Sequence, residues 1–189
     1  MSKTVSFSQY QIYKNCPHQW YLNYFKGLSS YQQSIHTIFG TSIHEAMQHY
    51  LKVMYGESGA AADREDIIGI FKNKFKNIYI KKNLIETKQH FSSPDEMRDF
   101  HQDGLEIIKA FKKDKVKWFG IRGWELIGIE IPILSKLTQK QNLFMKGFID
   151  VVAYDKTYDT YYIYDFKTST RGWKDKDKKT ILKYLKYYL

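Results

Sequence analysis

The sequences GFID at residues 147–150 and YDFK at residues 164–167 lie in two segments that are rich in β-branched and aromatic residues. The six residues between those segments, 155–160, are polar and typical of a turn. This pattern predicts two antiparallel strands, residues 143–154 and 161–168, joined as a hairpin. The pairing of residues across this hairpin determines where the candidate site residues lie.

The position of the turn determines which residues face one another across the hairpin. If the turn is symmetric about the bond between Thr157 and Tyr158, Asp150 lies opposite Asp165, with both side chains on one side of the sheet. Lys167 follows two residues after Asp165 and points to the same side, because side chains alternate along a strand. The sequence therefore predicts two carboxylates and one ammonium group at a single place.

Two carboxylates that face each other on a sheet repel, so this arrangement requires a compensating cation. A divalent metal is the natural one, since Mg²⁺ binds one or two carboxylates together with substrate phosphate oxygens. Lys167 then orients or helps deprotonate a water molecule while the metal stabilises charge on a phosphoryl oxygen. The alternative, which the spacing alone leaves open, is a surface hairpin with an ordinary solvated Asp–Lys ion pair.

Four motifs in this order resemble the PD-(D/E)XK nuclease superfamily, specifically its RecB-like branch. They are SFS at residues 6–8 followed by CP at 16–17, GTSIH at 40–44, GFID at 147–150, and DFKTS at 165–169. They resemble that branch's opening SxS…CP segment, its GxxxH helix, its GxiD strand and its strand with the catalytic lysine. Each motif is weak by itself, but the four occur in the family's order over most of the chain.

The resemblance implies metal-dependent hydrolysis of phosphodiester bonds in DNA, by an exonuclease more than by an endonuclease, in DNA processing, recombination or repair. It implies that Asp150, Asp165 and Lys167 are catalytic. It also implies Mg²⁺ or Mn²⁺ bound by Asp150, Asp165, His44 and the backbone carbonyl of Phe166, with Lys167 positioning the attacking water. The metal role of His44 rests on the resemblance alone, because a lone histidine is more often a packed residue.

A second hypothesis is a catalytically inactive DNA-binding accessory module of a recombination complex, against which the intact Asp–Asp–Lys set argues. In either case DNA is the expected partner, together with a helicase or recombination protein. Some RecB-like relatives hold an iron–sulfur cluster on four cysteines, whereas Cys16 is the one cysteine of this sequence, so no cluster is expected. Cys16 is predicted to be a small buried residue instead.

The composition favours a basic protein that works in a reducing setting. Lysine and arginine number 30 against 20 for aspartate and glutamate, a formal net charge of +10, which favours a polyanionic partner. No apolar run approaches the roughly 20 residues of a membrane span, and the N-terminus does not resemble a signal peptide. With a single cysteine and no expected membrane segment, a cytoplasmic location is predicted.

The predicted fold is α/β, with a central mixed β-sheet flanked by helices, a restriction-endonuclease-like core and a helical N-terminal part. One domain is expected over residues 1–189, with helices in 1–120 and the catalytic sheet in 121–189. Residues 124–134 alternate as a strand that places four isoleucines on one side and Glu130 on the other. RecB-like proteins often carry a glutamate here, and whether Glu130 binds metal or steadies the site is left open.

The helical part is predicted from caps and apolar spacing. Two short helices are expected before residue 27, with Ser6 or Ser8 and Pro17 at their starts, and a stripe of aromatic residues in the core. A helix over 38–55 carries His44, and residues 57–62 form a linker. A further helix is predicted to be capped by Asp63 and to end near Lys82, and another to run from the capping box at Ser93 towards Lys117. The lysine-rich faces of these two helices suit a DNA channel. The aromatic stripe expected in the core consists of Trp20, Tyr21, Tyr24 and Phe25.

The end of the sequence carries the least specific pattern. Residues 174–179 are predicted to be a loop and residues 180–189 a tyrosine-rich helix. Lys183 and Tyr187 have the spacing of the family's QxxxY helix, which holds DNA, but lysine stands where the family has glutamine. The helix has no capping residue after Leu189, so the natural protein is expected to continue.

Overall fold

The structure is a computed structural model of the chain, and it describes residues 3–28, 34–81, 85, 90, 92–137 and 142–168. The predicted loop at 174–179 and the predicted helix at 180–189, with Lys183 and Tyr187, lie outside the described residues. Lys82 and part of the loop before the long central helix lie outside them as well.

The protein is an α/β structure with a mixed four-stranded sheet and helices, as predicted. In chain order its elements are β1 (Lys3–Ser6), α1 (Phe7–Asn15), α2 (Pro17–Trp20), a π-helical turn (Tyr21–Phe25), α3 (Ile35–Gly56), α4 (Gly59–Arg64), α5 (Ile67–Tyr79), α6 (Pro94–Trp118), β2 (Trp124–Lys136), β3 (Leu143–Asp155) and β4 (Thr160–Tyr164). None of the described helices combines the length and the apolar content that crossing a membrane would require.

The central strand β3 is paired along both of its edges. Strand β2 runs antiparallel to nearly the whole of one edge. The other edge is shared: β1 pairs in parallel with residues 143–146, and β4 pairs antiparallel with residues 151–155. Between these two partners, residues 147–150 of β3 have no ladder partner on that edge within the described part of the chain. Asp150 lies at the end of this gap, beside the first residue that pairs with β4.

The register of the hairpin is the one that a symmetric turn predicts. Val151 pairs with Tyr164, and each later pair follows in step to Asp155 with Thr160. Because the ladder ends at Tyr164, Asp150 and Asp165 lie one position beyond its last pair. The Asp155 carboxylate accepts a hydrogen bond from the Thr157 backbone N–H at 2.8 Å, which stabilises the start of the turn.

The short strand β1 is a feature that the sequence did not predict. The opening residues were expected to be helical throughout, but Lys3–Ser6 forms a parallel pair with β3 before α1 begins. Four residues are too few for a clear alternation, and a parallel partner about 140 residues later leaves no local signal. The predicted cap is confirmed, because the Ser6 hydroxyl accepts from the Gln9 N–H at 3.2 Å.

The main core lies where α3, α5 and α6 pack together against the sheet. Ile43 of α3, Phe71 of α5, Ile108 of α6 and Val151 of β3 are all completely buried in one cluster. Helix α6 contains Gly104 at the point of closest approach, where a Cβ would lie 2.2 Å from the Phe71 ring. The predicted helix near 38–55, the apolar stripe of α5 and the helix start at Ser93 are therefore confirmed.

Two predictions between α3 and α5 are wrong. Residues 57–62 do not form a linker, because α4 begins at Gly59. Asp66, and not Asp63, caps α5, with its carboxylate accepting from the Gly69 N–H at 2.9 Å. Asp63 instead accepts hydrogen bonds from the Tyr50 hydroxyl at 2.6 Å and from Lys115 Nζ at 2.5 Å. The Asp63 carboxylate therefore forms long-range hydrogen bonds that join α4 to α3 and α6, instead of the helix cap that the local spacing predicted.

Replacing the Asp63 carboxylate is expected to destabilise the fold in a pH-dependent way. The hydrogen bond from Lys115, and then that from Tyr50, holds the pKa of the Asp63 carboxyl below its ordinary value of 3.8. A lowered folded-state pKa stabilises the protein above the unfolded-state pKa, and the stabilisation is lost as the pH falls through the folded-state pKa. Asp63→Asn should therefore lower the free energy of unfolding by about 1 kcal/mol near neutral pH, with a difference that shrinks in acid.

Urea denaturation at neutral and acidic pH measures this effect. Asp95→Asn is the matched control, because Asp95 also pairs with a basic residue, Arg98, but both side chains are highly exposed. That control should stay within about 0.5 kcal/mol of the wild type. An equal loss in the two variants, or a loss that does not depend on pH, would contradict the role assigned to Asp63.

The aromatic stripe and Cys16 are not core residues, contrary to prediction. Tyr21, Tyr24 and Phe25 are 37%, 42% and 68% exposed. Residues 21–25 form a π-helical turn, so the α-helical spacing on which the stripe depended does not hold there. Cys16 is exposed and caps α2, with its Sγ accepting from the Gln19 N–H at 3.4 Å. The core cluster is built mainly by α3, α5 and α6, and no residue of the first two helices belongs to it.

The isoleucine face of β2 is interrupted. The pairing with β3 shifts between Leu126 and Gly128, and a bulge there leaves Ile127 exposed. Ile133 is exposed as well, so the prediction of one apolar face along the whole strand is wrong. Ile129 does pack against the core cluster.

Several of the lysines predicted to face DNA have partners within the protein. Lys74 pairs with Glu45 of α3, and Lys117 pairs with Asp114 of its own helix. Lys112 donates to the Asp63 backbone carbonyl at 3.0 Å, beside the Lys115 contact. The α6 cluster therefore takes part in holding the helices together, and a DNA channel along it stays a prediction.

Candidate metal site

Three elements bring metal-ligating side chains to one place. His44 of α3, Glu130 of β2 and Asp150 of β3 each offer one ligand atom, and these atoms lie within 4.8 Å of one another. His44 Nδ1 is 3.8 Å from Asp150 Oδ2. His44 and Asp150 are both residues of the motifs identified in the sequence, and they come from segments about 100 residues apart.

Glu130 reaches this group because the backbone of β2 is irregular at that residue. The neighbouring pairs, Ile129 with Val151 and Ile131 with Ile149, make Glu130 the residue opposite Asp150. Its φ of 52° lies in the left-handed region, which costs a residue other than glycine about 1–3 kcal/mol. The Glu130 side chain contacts Gln48 of α3, while the neighbouring Ile129 packs against the core cluster, which includes Val151 of β3.

Gln48 of α3 fixes the Glu130 carboxylate. Its Nε2 donates to Glu130 Oε1 at 2.7 Å, and Gln48 itself is nearly buried. Gln48 lies four residues after His44, so the two side chains are neighbours on one face of the helix. Helix α3 thus supplies one candidate ligand directly and holds a second through a hydrogen bond.

Gln48→Met is expected to weaken metal binding by about ten- to 100-fold, the usual effect of removing a group that orients a ligand. Methionine keeps the length of the side chain but cannot donate to Glu130. Isothermal titration with Mn²⁺ gives the affinity. The matched control is Gln102→Met, since Gln102 also donates to a glutamate, Glu106, at 3.2 Å, but on the exposed face of α6. Similar affinities in both variants would contradict the role of Gln48.

A hydrogen bond to Asp150 holds the segment after β4 against the candidate site. Its Oδ2 accepts from the Phe166 backbone N–H at 2.6 Å. The Phe166 ring packs edge-on against the His44 ring, with centroids 5.6 Å apart. Two residues on, Thr168 approaches α3 at Gly40, where a Cβ would lie 2.9 Å from Thr168 Oγ1. The glycine of the GTSIH motif therefore lets this segment lie against the helix that carries His44.

Asp165 and Lys167 form a separate pair next to this group. Lys167 Nζ donates to Asp165 Oδ1 at 2.6 Å, and the two side chains are 54% and 60% exposed. Both residues line a cavity of about 560 Å³ between α3, α6 and the segment after β4, which Asp103 of α6 also lines. The Asp165 carboxylate does not belong to the group formed by His44, Glu130 and Asp150.

The chemistry of the three side chains fits a divalent cation. They offer one imidazole nitrogen and two carboxylates, ligands that suit Mg²⁺ and, with the imidazole, Mn²⁺ or a later transition metal. The hydrogen bonds described above use one oxygen of each carboxylate, and each carboxylate has a second oxygen. Each of the two carboxylates is also held by a donor from another element, which pre-orients it for a cation.

The sequence identified His44, Asp150 and Phe166 at this place but not the whole group. The role of Glu130 was left open, and its backbone conformation has no sequence signature. Gln48 was missed, although its spacing of four residues from His44 was a usable signal. The predicted proximity of Lys167 to Asp165 agrees with the ion pair. The shared site of Asp165 with Asp150 stays a prediction.

These features define an α/β protein in which strands β2 and β3 and helix α3 supply a candidate divalent-metal site. The chain belongs to the PD-(D/E)XK nuclease superfamily, whose family model matches residues 4–188. The match covers nearly the whole chain, from β1 through every described element. No curated protein matches the sequence. Nucleases of this superfamily use divalent metals, in keeping with the ligand set of the site.

Proposed function

We propose that the protein is a metal-dependent DNA nuclease of the RecB-like branch, and that it acts as an exonuclease. The observation that carries the proposal is the convergence of His44 and Asp150, each from a motif of that branch, within 4.8 Å of the Glu130 carboxylate. The formal net charge of +10 supports a polyanionic substrate. A cytoplasmic protein that works with a helicase or recombination protein is part of the same proposal.

In this proposal His44, Glu130 and Asp150 hold the cation. A bound Mg²⁺ or Mn²⁺ supplies charge stabilisation at a phosphoryl oxygen. Asp165 is proposed as a further ligand, with its side chain turned away from Lys167 and towards the cation. Asp165 is close enough for this role because the next residue, Phe166, donates its backbone N–H to Asp150. The Phe166 carbonyl is the remaining proposed ligand.

Lys167 is proposed to position the attacking water and to stabilise the charge that develops during phosphodiester cleavage. Its Nζ is held beside Asp165 by the 2.6 Å contact, and the side chain is half exposed, so the ammonium group is accessible from solvent. In this position its ammonium group can donate hydrogen bonds to a water molecule or to a phosphate oxygen.

A second candidate function is a DNA-binding module without catalysis. The observation in its favour is the pairing of Asp165 with Lys167 outside the group of three ligands. The two functions differ in outcome: both bind DNA, but only the nuclease degrades it in the presence of a metal and stops when the metal is chelated.

Digestion of linear and circular DNA tests the proposal. The purified protein is incubated with each substrate in Mg²⁺ or Mn²⁺, and in parallel with a chelator. Linear DNA should be degraded from its ends while circular DNA stays intact, and the chelator should stop the reaction. Cleavage of the circular substrate would make the protein an endonuclease. Binding without degradation in either metal would favour the accessory module.

A further inference from the structure

A set of exposed aromatic rings covers the N-terminal part of the protein and lines a cavity. The aromatic surface consists of Tyr10, Tyr13, Trp20, Tyr24 and Phe25. The cavity has a volume of about 630 Å³ and is also lined by residues of β1, by Leu137 just after β2, and by Leu143 at the start of β3. Four of the five side chains are exposed, and none of the five residues belongs to the core cluster.

The segments that build this surface carry positive charge only. Residues 1–44 contain three lysines and neither aspartate nor glutamate, and the first carboxylate of the chain is Glu45. Residues 131–149, which include the ends of β2 and β3 at the cavity, contain three more lysines and no carboxylate. Lys26 Nζ lies 5.6 Å from the centre of the Tyr21 ring, next to the aromatic surface. Apolar ring faces among positive charges suit a polyanion with flat unpaired rings.

We propose that the aromatic surface binds the unpaired bases of single-stranded DNA, which stack on its rings while the lysines contact the phosphates. Stacking of bases on aromatic side chains is tolerant of sequence and needs bases that are free of a partner strand. A duplex hides its base faces, so this surface selects single strands. The choice of DNA as the ligand rests on the proposed nuclease function and adds the class of substrate to it.

The aromatic surface and the candidate metal site are connected through one strand. Leu143 lines the cavity and Asp150 belongs to the metal site, and both are residues of β3. Seven residues of strand span about 23 Å at 3.3 Å per residue. That distance equals about seven nucleotides at a rise of 3.4 Å, and fewer for an extended strand. The exposed Lys146 lies between the two sites on the same strand. The distance between the two sites along β3 is therefore within the length of a short single strand.

Fluorescence anisotropy in the presence of a chelator tests this inference without cleavage. The probes are an oligothymidylate of about 12 nucleotides, an abasic strand with the same number of phosphates, and the corresponding duplex. The wild type should bind the oligothymidylate most tightly. Phe25→Ala and Tyr24→Ala should each weaken that binding by about fivefold or more, with little change for the abasic strand. Phe25→Trp keeps a stacking ring and should restore the affinity.

Tyr158→Ala is the matched control, because Tyr158 is a strongly exposed ring in the turn between β3 and β4. It should bind the oligothymidylate as the wild type does, and circular dichroism should show all variants folded. Wild-type affinity in Phe25→Ala and Tyr24→Ala, equal losses for the abasic strand, or no preference for oligothymidylate over duplex would each overturn the inference. A variant that changes the oligomeric state in light scattering while binding DNA normally would assign the surface to a second copy.

The outcome is separable from that of the nuclease proposal. Binding is measured without metal, so failure to cleave DNA leaves the stacking measurement readable. If the protein degrades DNA but the aromatic variants bind oligothymidylate normally, the nuclease proposal stands and the base-binding surface is rejected.

Discussion

Asp150→Asn is expected to lower the rate of metal-dependent DNA cleavage by about a thousandfold or more, since a bound metal contributes several kcal/mol and each 1.36 kcal/mol is tenfold in rate. Asparagine keeps an oxygen that can accept the Phe166 N–H, a bond of 2.6 Å in the wild type. The substitution therefore removes the negative charge and preserves the hydrogen bond that holds the segment after β4. Isothermal titration with Mn²⁺ should show a parallel loss of metal affinity.

Asp159→Asn is the matched control for this experiment. Asp159 lies in the turn of the same hairpin, accepts from the Tyr154 hydroxyl at 2.6 Å, and has a φ of 48° that asparagine adopts readily. That variant should cleave DNA and bind Mn²⁺ as the wild type does. If Asp150→Asn retained both properties, Asp150 would not be a metal ligand and the proposed site would be wrong.

The hairpin could be predicted from the sequence because its information is local. The polar residues 155–160 mark the turn, and a symmetric turn fixes every later cross-strand pair, as the pairing of Val151 with Tyr164 confirms. The caps at Ser6 and Ser93 were predictable for the same reason, because each depends on a hydroxyl and an N–H three residues away. Prediction succeeded where the partners of an interaction lie within a few residues.

The features that were missed depend on partners far along the chain. Strand β1 exists only because residues 143–146 are available to pair with it. Asp63 could have capped a helix, but Lys115, which lies 52 residues later, pairs with it instead. The aromatic residues of the first helices were predicted to be buried because their spacing fits a helix face, yet none of them belongs to the main core cluster. Spacing indicates which residues share a face, and only the packing of the whole chain decides whether that face is covered.

The candidate site shows the same division. His44 and Asp150 could be selected from motifs, whereas Glu130 joined the group through a left-handed backbone conformation in β2. Such a conformation is unfavourable for glutamate and is retained only where the surrounding structure holds it. The hydrogen bond from Gln48 supplies part of that constraint. A strained residue that faces two other candidate ligands agrees with a functional role for Glu130, which the Gln48 variant tests indirectly.

Lys167→Met is expected to reduce kcat by about 100- to 10 000-fold, the range for removing a group that assists proton transfer, while KM for DNA changes little. Methionine retains most of the length of the side chain and loses the ammonium group. Lys156→Met is a closely matched control, because Lys156 also pairs with a carboxylate, Glu125, at 3.0 Å and is similarly exposed. Lys156 lies at the far end of the hairpin, so that variant should keep wild-type kinetics.

Metal affinity separates a catalytic role of Lys167 from a structural one. In the structure Lys167 Nζ forms an ion pair with Asp165 Oδ1 at 2.6 Å, so the lysine and a bound cation would compete for the Asp165 carboxylate. Removing the lysine should leave Mn²⁺ binding unchanged or make it tighter, even though cleavage is lost. A structural defect would weaken both metal binding and cleavage. Wild-type kcat in Lys167→Met would show that the ammonium group takes no part in the reaction, and Asp165 with Lys167 would then be the ordinary surface ion pair that the spacing also allowed.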